Sequence, residues 1–299
     1  GEEPEKYCIG ENQGLDEMKM DKQNNDGYSV LMSVYDKEKP EYLRASLNSI
    51  IGQSLPPDEI VLVCDGPLRP QLETVIHEFG DALKLLRLPE NAGLGNALSK
   101  GMALCRNEWI ARMDSDDIAA RDRCRLQMEF LRHHPEVDVL SGCVAEFQGD
   151  CVTEKEAAGQ VLSYKTLPQT HEELRTYLID RNPMNHPCVM FRKSKVLAAG
   201  GYQPCPLFED YDLWIRMYQK GSIFANLPEV LLYMRVNDLH RRRGGVRYAG
   251  TIIRFRTKML RKGLISPARY LYTTAARVAV SLMPDGMRKR IYDIKLREH

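Results

Sequence analysis

The chain has 299 residues, of which 43% are hydrophobic and 28% are charged, and it contains eight cysteines. This composition is that of a globular protein, and the length allows one large α/β domain with an appendage or two small domains. No apolar run approaches the roughly 18 residues that a membrane-spanning helix needs, and the cysteines show neither a C-x-x-C pair nor a zinc-binding spacing. We therefore expect a cytoplasmic protein with reduced cysteines, not an integral membrane protein or a disulfide scaffold.

The net charge of +1 hides an uneven distribution of charge. Residues 1–27 carry eight acidic residues and three lysines, whereas residues 240–299 carry 16 Lys or Arg and three acidic residues. A basic segment predicts an anionic partner, such as a phosphate group, an acidic membrane surface or nucleic acid. We expect a polar tail over residues 1–27, a main domain over 28–238 and a basic helical C-terminal extension over 239–299.

In residues 28–117, short apolar runs alternate with segments of helical periodicity. The runs predict strands over 28–35, 59–65, 83–88 and 108–113, and the segments between them predict helices over 41–51, 71–79 and 94–105. Such alternation predicts βαβ units, and therefore an α/β fold with a mostly parallel sheet flanked by helices. Ligands bind beyond the carboxyl ends of the strands in sheets of this kind. Asp65 and the cluster Asp114-Ser-Asp-Asp117 both follow strands, so we expect them to line one crevice.

The second half of the chain is less regular. Its pattern predicts helices over 121–134 and 208–220 and a strand over 137–147, and it becomes helical and basic beyond residue 239. Ser266-Pro267 marks a helix start, after which Leu271, Ala275, Val278 and Leu282 share one face. A basic helix with an apolar face favours contact with an anionic membrane surface. Packing on the main domain or on a second copy of the chain is the alternative.

Three carboxylates fall within four residues at Asp114, Asp116 and Asp117. Like charges this close require a counter-cation or partial protonation. Oxygen ligands suit Mn²⁺ or Mg²⁺, which can also bridge to substrate phosphates and stabilise a departing diphosphate. The alternative is that Asp116 or Asp117 caps a helix beginning near Ile118. The position of the cluster at the end of a buried strand favours the metal site.

Five segments in this order resemble the family-2 glycosyltransferases, which have the GT-A fold. They span about residues 28–237 and read SVLMSVY at 29–35, IVLVCDG at 60–66, NAGLGNAL at 91–98, MDSDD at 113–117 and FEDYDLW at 208–214. Each segment alone is weak evidence for this family, but five segments in the right order are specific to it. The segments RNPMNHP at 181–187 and RRRGG at 241–245 resemble one subgroup in particular. That subgroup contains bacterial capsule and exopolysaccharide enzymes of the amylovoran-biosynthesis type.

The resemblance implies an inverting, metal-dependent hexosyltransferase of surface polysaccharide biosynthesis. It would move a hexose or N-acetylhexosamine from a nucleotide sugar, usually UDP-linked, to a glycan or polyprenyl-diphosphate-linked acceptor. A homo-oligomer and a peripheral position on the inner face of the plasma membrane are compatible with this interpretation, whereas nucleic acid is not an expected partner.

The resemblance also assigns roles to individual residues. The donor nucleotide would contact Ser33, Val34, Tyr35, Asp65, Asn91, Gly93, Asp114 and Ser115. Asp116 would be the principal metal ligand, together with Asp114, and Asp210 beside Glu209 would be the catalytic base. His186, Asn185 and Arg243 are candidates for contacts with the acceptor or the diphosphate.

Several of these roles have plain structural alternatives. Asp210 is predicted near the start of a helix, where the helix dipole favours an ionised carboxylate, but it can equally serve as a cap. A histidine before proline, as at His186, is commonly a hydrogen-bonded structural residue. The arginine run at 241–243 binds phosphate well, yet it also fits a solvated basic loop.

Other functional classes explain fewer of these features. A sugar-nucleotide nucleotidyltransferase would need a Gly-rich basic loop after the first strand, whereas residues 36–39 read DKEK. A dinucleotide oxidoreductase and a P-loop NTPase lack their glycine motifs here. A glycoside hydrolase would leave the nucleotide-site pattern unexplained. A non-catalytic protein that binds nucleic acid or another anionic surface would leave the acidic cluster at 114–117 unexplained.

Overall fold

The first half of the chain forms the alternating strands and helices that the sequence predicts. The computed structural model describes residues 27–237, 244–284 and 286–288. The predicted tail, apart from Gly27, and Arg243 lie outside these residues. The elements of the first half are β1 (Tyr28–Val34), α1 (Pro40–Ile51), β2 (Glu59–Cys64), α2 (Pro70–Phe79), β3 (Leu83–Arg87), α3 (Leu94–Leu104) and β4 (Trp109–Asp114).

Strand β1 is apolar on both faces because helices cover both sides of the sheet. Val30 and Met32 pack into one buried cluster, while Leu31 packs into the other. Helix α3 approaches the sheet closely at Gly101, where a Cβ atom would lie 2.6 Å from Leu31 Cδ1 and 2.5 Å from Val63 Cγ2. A larger side chain at this position would push α3 away from β1 and β2.

The second half contains several elements that the sequence pattern did not predict, including a 12-residue strand over 224–235, beside others that it did. They are β5 (Ile118–Ala119), α4 (Arg123–His133), β6 (Val139–Phe147), α5 (Glu154–Ala158), β7 (Val161–Lys165), α6 (His171–Tyr177), β8 (Met190–Arg192), α7 (Lys193–Ala198), α8 (Glu209–Gln219), β9 (Phe224–Arg235), α9 (Val246–Arg261) and α10 (Pro267–Leu282). The proposed cap at Asp116 or Asp117 is wrong, because the next element is the strand β5 and α4 begins only at Arg123.

Within the described residues, nine strands form one sheet in the order β3-β2-β1-β4-β8-β6-β9-β5, with β7 paired to β6. The strands β1, β2, β3 and β4 are parallel to one another, as predicted. The long pair β6–β9 is also parallel, whereas β8, β7 and β5 pair antiparallel with their neighbours. The expected α/β architecture is therefore confirmed, with antiparallel strands added by the second half.

Helices α9 and α10 lie in the predicted basic extension and pack against each other, and α9 also packs against α8. The ring of Phe255 stacks on that of Phe208 with centroids 4.5 Å apart, and Lys258 Nζ lies 2.6 Å from a carboxylate oxygen of Asp212. No helix in the described ranges is both long and apolar enough to cross a bilayer. The boundary between a domain at 28–238 and an extension at 239–299 stays a prediction.

Candidate active site

Strand register brings the predicted donor-site residues to one edge of the sheet. Ser33 on β1 lies beside Asp114 on β4, and Val34 lies beside Cys64 on β2. The backbone N–H of Asp65 donates to the carbonyl of Val34 at 2.8 Å. Asp65 and the acidic cluster therefore lie at the carboxyl ends of β2 and β4, the two parallel strands that flank β1.

The acidic cluster has the geometry of a divalent-metal site. Carboxylate oxygens of Asp114, Asp116 and Asp117 all lie within 4.8 Å of one another. Asp117 is 2% exposed, and burial, together with the charges of Asp116 and Asp114, raises its pKa well above the ordinary value. A set of carboxylate oxygens at this spacing fits Mn²⁺ or Mg²⁺, and such an ion would offset the repulsion among them.

Arg112 and Arg235 hold the cluster from two sides. Both carboxylate oxygens of Asp114 accept hydrogen bonds from the guanidinium of Arg112, one of them at 2.9 Å. Arg235 donates from its backbone N–H to Asp117 at 2.8 Å and from Nε to the carbonyl of Asp116 at 3.0 Å. The guanidinium of Arg235 also stacks on the ring of Tyr42 at 3.7 Å. The loop after β4 is therefore fixed by two buried cations.

Asp65 organises the loop that precedes α3. Its carboxylate accepts from the backbone N–H of Ala92 at 2.7 Å and of Gly93 at 3.1 Å. The side-chain amide of Asn91 donates to the carbonyl of Asp65 at 3.2 Å. Gly93 has φ +84°, in the region that favours glycine. Asp65, Asn91 and Gly93 thus form one unit, and their contacts with a nucleotide stay predictions.

The residues after β1 differ in what they can offer to a ligand. The side chain of Val34 is fully buried in the core, so only its backbone can contact a nucleotide. Tyr35 is exposed at the rim. Ser115 is buried, and its hydroxyl donates to the carboxylate of Glu38 at 2.7 Å. We therefore interpret Ser115 as a residue that links the loop after β4 to the loop after β1. Its contact with a nucleotide stays a prediction.

Asp210 lies in the first turn of α8, with its carboxylate held in place. It accepts from Asn182 Nδ2 at 2.5 Å and from the backbone N–H of Tyr211 at 2.7 Å. Burial raises the pKa of Asp210, while these two hydrogen bonds and the charges of Arg112 and Lys165 oppose the increase. Phe208, not Asp210, occupies the N-cap position of α8. A carboxylate with a raised pKa is suited to accept a proton.

Glu209, next to Asp210, lies against the start of α3. A Cβ atom added at Gly95 would be 3.1 Å from Glu209 Cγ, so the two elements are in close contact. Burial raises the pKa of Glu209, and the neighbouring charge of Asp210 adds to the increase. The part of Glu209 in catalysis stays a prediction.

His186 and Asn185 lie behind this site in different environments. His186 Nε2 is 2.8 Å from Tyr202 Oη, and burial together with the charge of Arg112 lowers its pKa well below the ordinary value. Asn185 is buried, and its side-chain amide donates to the carbonyls of Gly142 at 2.8 Å and Lys165 at 3.1 Å. The structure therefore supports a bracing role for Asn185, and its predicted contact with the substrate is untested.

Sequence reasoning missed several residues of this site. Arg112 is a charged residue within a buried apolar strand, and that feature alone signals a buried ion pair. Asn182 belongs to the segment 181–187 that carried part of the family resemblance. The others gave no local signal, because their partners lie far away in the sequence: Glu38, Tyr202 and Arg235.

Comparison with known proteins identifies the family. The sequence profile described as Glycosyl transferase family 2 matches residues 29–197. The amylovoran biosynthesis glycosyltransferase AmsE of Erwinia amylovora is 38% identical over 89% of this chain and 98% of its own length. The UDP-Gal:α-D-GlcNAc-diphosphoundecaprenol β-1,3-galactosyltransferase of Escherichia coli is 33% identical over 89% of this chain and 94% of its own length.

A solved structure shares the fold. The mannosyltransferase PcManGT from Pyrobaculum calidifontis, in complex with GDP-Man and Mn²⁺, superposes with a TM-score of 0.59 at 18% identity. The match covers 90% of this chain and 79% of that one. The predicted GT-A fold is confirmed, and the profile and the two curated relatives agree on the family. The chain is a glycosyltransferase that belongs to glycosyl transferase family 2.

Proposed function

We propose that this enzyme transfers a hexosyl or N-acetylhexosaminyl residue from a UDP-sugar to an acceptor hydroxyl, with inversion and with the help of a divalent metal ion. One arrangement carries the proposal: a carboxylate cluster suited to a metal and a separate carboxylate with a raised pKa lie around the same buried arginine. Arg112 pairs with Asp114 of the cluster, and its charge also acts on Asp210. Inverting transfer requires these two functions at opposite sides of the anomeric carbon.

The donor would bind at the carboxyl ends of β1, β2 and β4. Asp116 and Asp114 would hold Mn²⁺ or Mg²⁺. When bound, the ion would neutralise the negative charge that develops on the departing diphosphate. Tyr35 at the rim and the loop that Asp65 fixes at Ala92 and Gly93 would enclose the base and the ribose. The Escherichia coli relative is named for a UDP-galactose donor, which favours UDP over other nucleotides.

Asp210 would accept the proton of the acceptor hydroxyl as that oxygen attacks the anomeric carbon. One C–O bond forms to the acceptor while the C–O bond to the diphosphate breaks, so the configuration inverts. Asn182 keeps the Asp210 carboxylate oriented and favours its ionised form by donating at 2.5 Å. Single displacement needs no covalent intermediate, and Asp210 therefore acts only as a base.

The acceptor is proposed from the relatives. The Escherichia coli enzyme is named for a GlcNAc-diphosphoundecaprenol acceptor, and the Erwinia amylovora enzyme for amylovoran biosynthesis. We infer that the acceptor of this chain is a sugar hydroxyl on a lipid-linked diphosphate, in the assembly of a surface polysaccharide.

Calorimetric titration of UDP with Mn²⁺, with Mg²⁺ and with EDTA tests the donor site. We expect metal-dependent binding that is lost in Asp116→Asn, and unchanged binding in Asp81→Asn, an exposed aspartate remote from the site. Metal-independent UDP binding, or equal binding by Asp116→Asn, would overturn the metal assignment. If GDP and TDP bind instead of UDP, the nucleotide assignment is wrong.

The base assignment needs a separate experiment. Asp210→Asn is expected to bind UDP and metal normally while its transfer rate falls by roughly three orders of magnitude, within the range typical of a lost general base. Analysis of the product anomer by NMR tests inversion. Substantial transfer by Asp210→Asn would move the base to another residue, with Glu209 the next candidate.

A further inference from the structure

The outer face of helix α10 is apolar, although it faces solvent. Leu271 is 67% exposed, Tyr272 79% and Leu282 53%, and the exposed Ala268, Ala275 and Ala279 lie on the same side of the helix. The buried residues of α10 include Thr274 and Ser281 instead. The face predicted from the sequence therefore exists, but the helix turns it away from the protein core.

The apolar face continues onto α9. Thr257 Oγ1 lies 3.0 Å from Tyr270 Oη, so this side of α9 borders α10, and Ile253 lies one turn before Thr257 on that side. At the other end, Gly245 N–H donates to the carbonyl of Ser281 at 2.9 Å, which places Val246 next to the end of α10. Val246 is 80% exposed. We call this surface of α9 and α10 the hairpin face.

All charged residues in the segment that forms the hairpin face are basic. Residues 244–284 contain eight Lys or Arg and no Asp or Glu. Arg247, Arg254 and Arg261 recur every seven residues on the exposed side of α9. A groove of about 420 Å³ on this helix is lined by Ile253, Arg254, Thr257, Lys258, Arg261 and Lys262. Apolar side chains beside a row of cations match the interface of a bilayer that contains anionic lipids.

We propose that the hairpin face docks the enzyme on an anionic membrane surface, with Leu271, Tyr272 and Leu282 inserted among the headgroups. A second copy of the chain fits the surface less well. A two-fold interface places the same patch on both partners, so the exposed Arg247, Arg254 and Arg261 of one copy would lie close to the same three arginines of the other. No acidic residue of 244–284 would then offset the repulsion.

The hairpin also holds the segment that carries the proposed base, Asp210, and the segment that leads to its partner, Asn182. Phe208, next to Glu209 and Asp210, stacks on Phe255 of α9. On the other side of the base, Arg256 Nη1 donates to the carbonyl of Ile179 at 2.9 Å, and Arg269 forms an ion pair with Asp180. The segment held in this way leads directly to Asn182.

Docking would therefore bring the acceptor side of the site close to the bilayer, and this step rests on the proposed lipid-linked acceptor. Membrane binding by the hairpin face does not depend on that acceptor. It can therefore be tested without any sugar nucleotide.

Flotation of the full chain with vesicles tests the proposal. We expect binding to vesicles that contain phosphatidylglycerol, weakened by salt, and little binding to pure phosphatidylcholine. Arg254→Gln with Arg261→Gln should lower the partition coefficient roughly 25-fold, since each cation near an anionic surface contributes about fivefold. Leu271→Ser with Tyr272→Ser should lower it about tenfold.

The chain offers a matched control for the apolar variant. Leu162 and Tyr164 on β7 are 58% and 52% exposed, so Leu162→Ser with Tyr164→Ser removes the same two side chains from another surface. This control should float like the parent. Equal loss of flotation in both double variants, or no flotation of the parent with anionic vesicles, would overturn the proposal.

A fluorescent variant gives a second measurement that needs no loss of binding. The chain has two tryptophans, Trp109 and Trp214, and both are buried. In Tyr272→Trp, an exposed tryptophan should shift its emission to the blue when anionic vesicles are added. An unshifted emission would contradict insertion. A dimer in sedimentation that Leu271→Ser with Tyr272→Ser abolishes, without vesicle binding, would assign the face to a second copy instead.

Failure of the docking proposal can be told from failure of the proposed function. Asp210→Asn should float like the parent, and Leu271→Ser with Tyr272→Ser should bind UDP and metal like the parent in calorimetry. An active enzyme that ignores vesicles would remove only the docking proposal.

Discussion

Arg112 donates to both carboxylate oxygens of Asp114, two residues further along the same strand. The arginine side chain is buried, whereas the aspartate is about one-third exposed at the site. The charge of Arg112 also lowers the pKa of His186 and opposes the increase in the pKa of Asp210. One buried cation thus positions the predicted metal side and acts electrostatically on the predicted base side.

Replacing Arg112 by lysine tests this connection. Lysine keeps the charge but cannot reach both oxygens of Asp114 in the planar arrangement of a guanidinium. We expect UDP affinity in the presence of Mn²⁺ to fall about tenfold, equivalent to ~1.4 kcal/mol, as measured by calorimetry. Arg125→Lys is the control, since Arg125 pairs with Asp122 and Glu129 on an exposed surface. Equal affinity in parent and Arg112→Lys would show that the bidentate geometry is unimportant.

A divalent ion should stabilise the fold through the acidic cluster. Binding to the native state alone stabilises by about 2.7 kcal/mol at 100 times the dissociation constant. For a chain of this size we therefore expect Tm to rise by roughly 4 °C. Differential scanning fluorimetry with Mn²⁺, Ca²⁺ and EDTA measures the rise. Asp116→Asn should lose most of it, and a full response in that variant would place the ion elsewhere.

The sequence predicted the strands and helices of the first half well because their patterns are local, but it missed the 12-residue strand β9 of the second half. The strands β1, β2 and β4 are buried on both faces and their sequences are mostly apolar. β5 is different: Ile118 and Ala119 form a strand only because Tyr233 and Leu232 of β9 lie beside them. Two residues paired with a segment more than 100 positions away leave no periodicity in the sequence.

The candidate site likewise has one part that the sequence predicted and one part that it did not. Asp65 and Asp114–Asp117 could be placed from the sequence because parallel strands end at a common edge. The contacts that determine the chemistry of these aspartates could not be predicted in this way. Ser115 binds Glu38, and Asn182 binds Asp210, through side chains brought together only by the tertiary fold. The exposure of Leu271 was equally hidden, because helical periodicity defines a face but not the direction in which it points.

Asp65→Asn should loosen the loop before α3. In the parent, both carboxylate oxygens accept backbone N–H groups, from Ala92 and Gly93. Asparagine presents an NH₂ group to one of these donors, so one hydrogen bond is lost and a partly buried donor is left unpaired. We expect a loss of about 1–3 kcal/mol in the free energy of unfolding, measured by urea denaturation.

The same variant distinguishes a structural role of Asp65 from a direct contact with the nucleotide. If Asp65 has only the structural role, UDP affinity should fall only in proportion to the fraction of molecules in which the loop is disordered. Lowering the temperature should then restore the affinity. A loss of UDP binding without any change in stability would instead show that Asp65 contacts the nucleotide directly.

The pH dependence of transfer should report on Asp210 and its partner. Burial raises the pKa of Asp210 above its ordinary value of 3.8. The base must be ionised to accept a proton, so kcat/KM should fall as the pH decreases through this raised pKa. The hydrogen bond from Asn182 favours the ionised form and keeps the pKa lower than burial alone would set it.

Asn182→Ala removes that hydrogen bond, and the pKa of Asp210 should increase further. We therefore expect the acidic limb of the kcat/KM profile to move to higher pH, with much of the activity regained at alkaline pH. Asn182→Gln keeps an amide donor and is the control, with a limb closer to that of the parent. If Asn182→Ala instead lowers activity equally at every pH, Asn182 has only a structural role, because loss of orientation alone does not displace the limb.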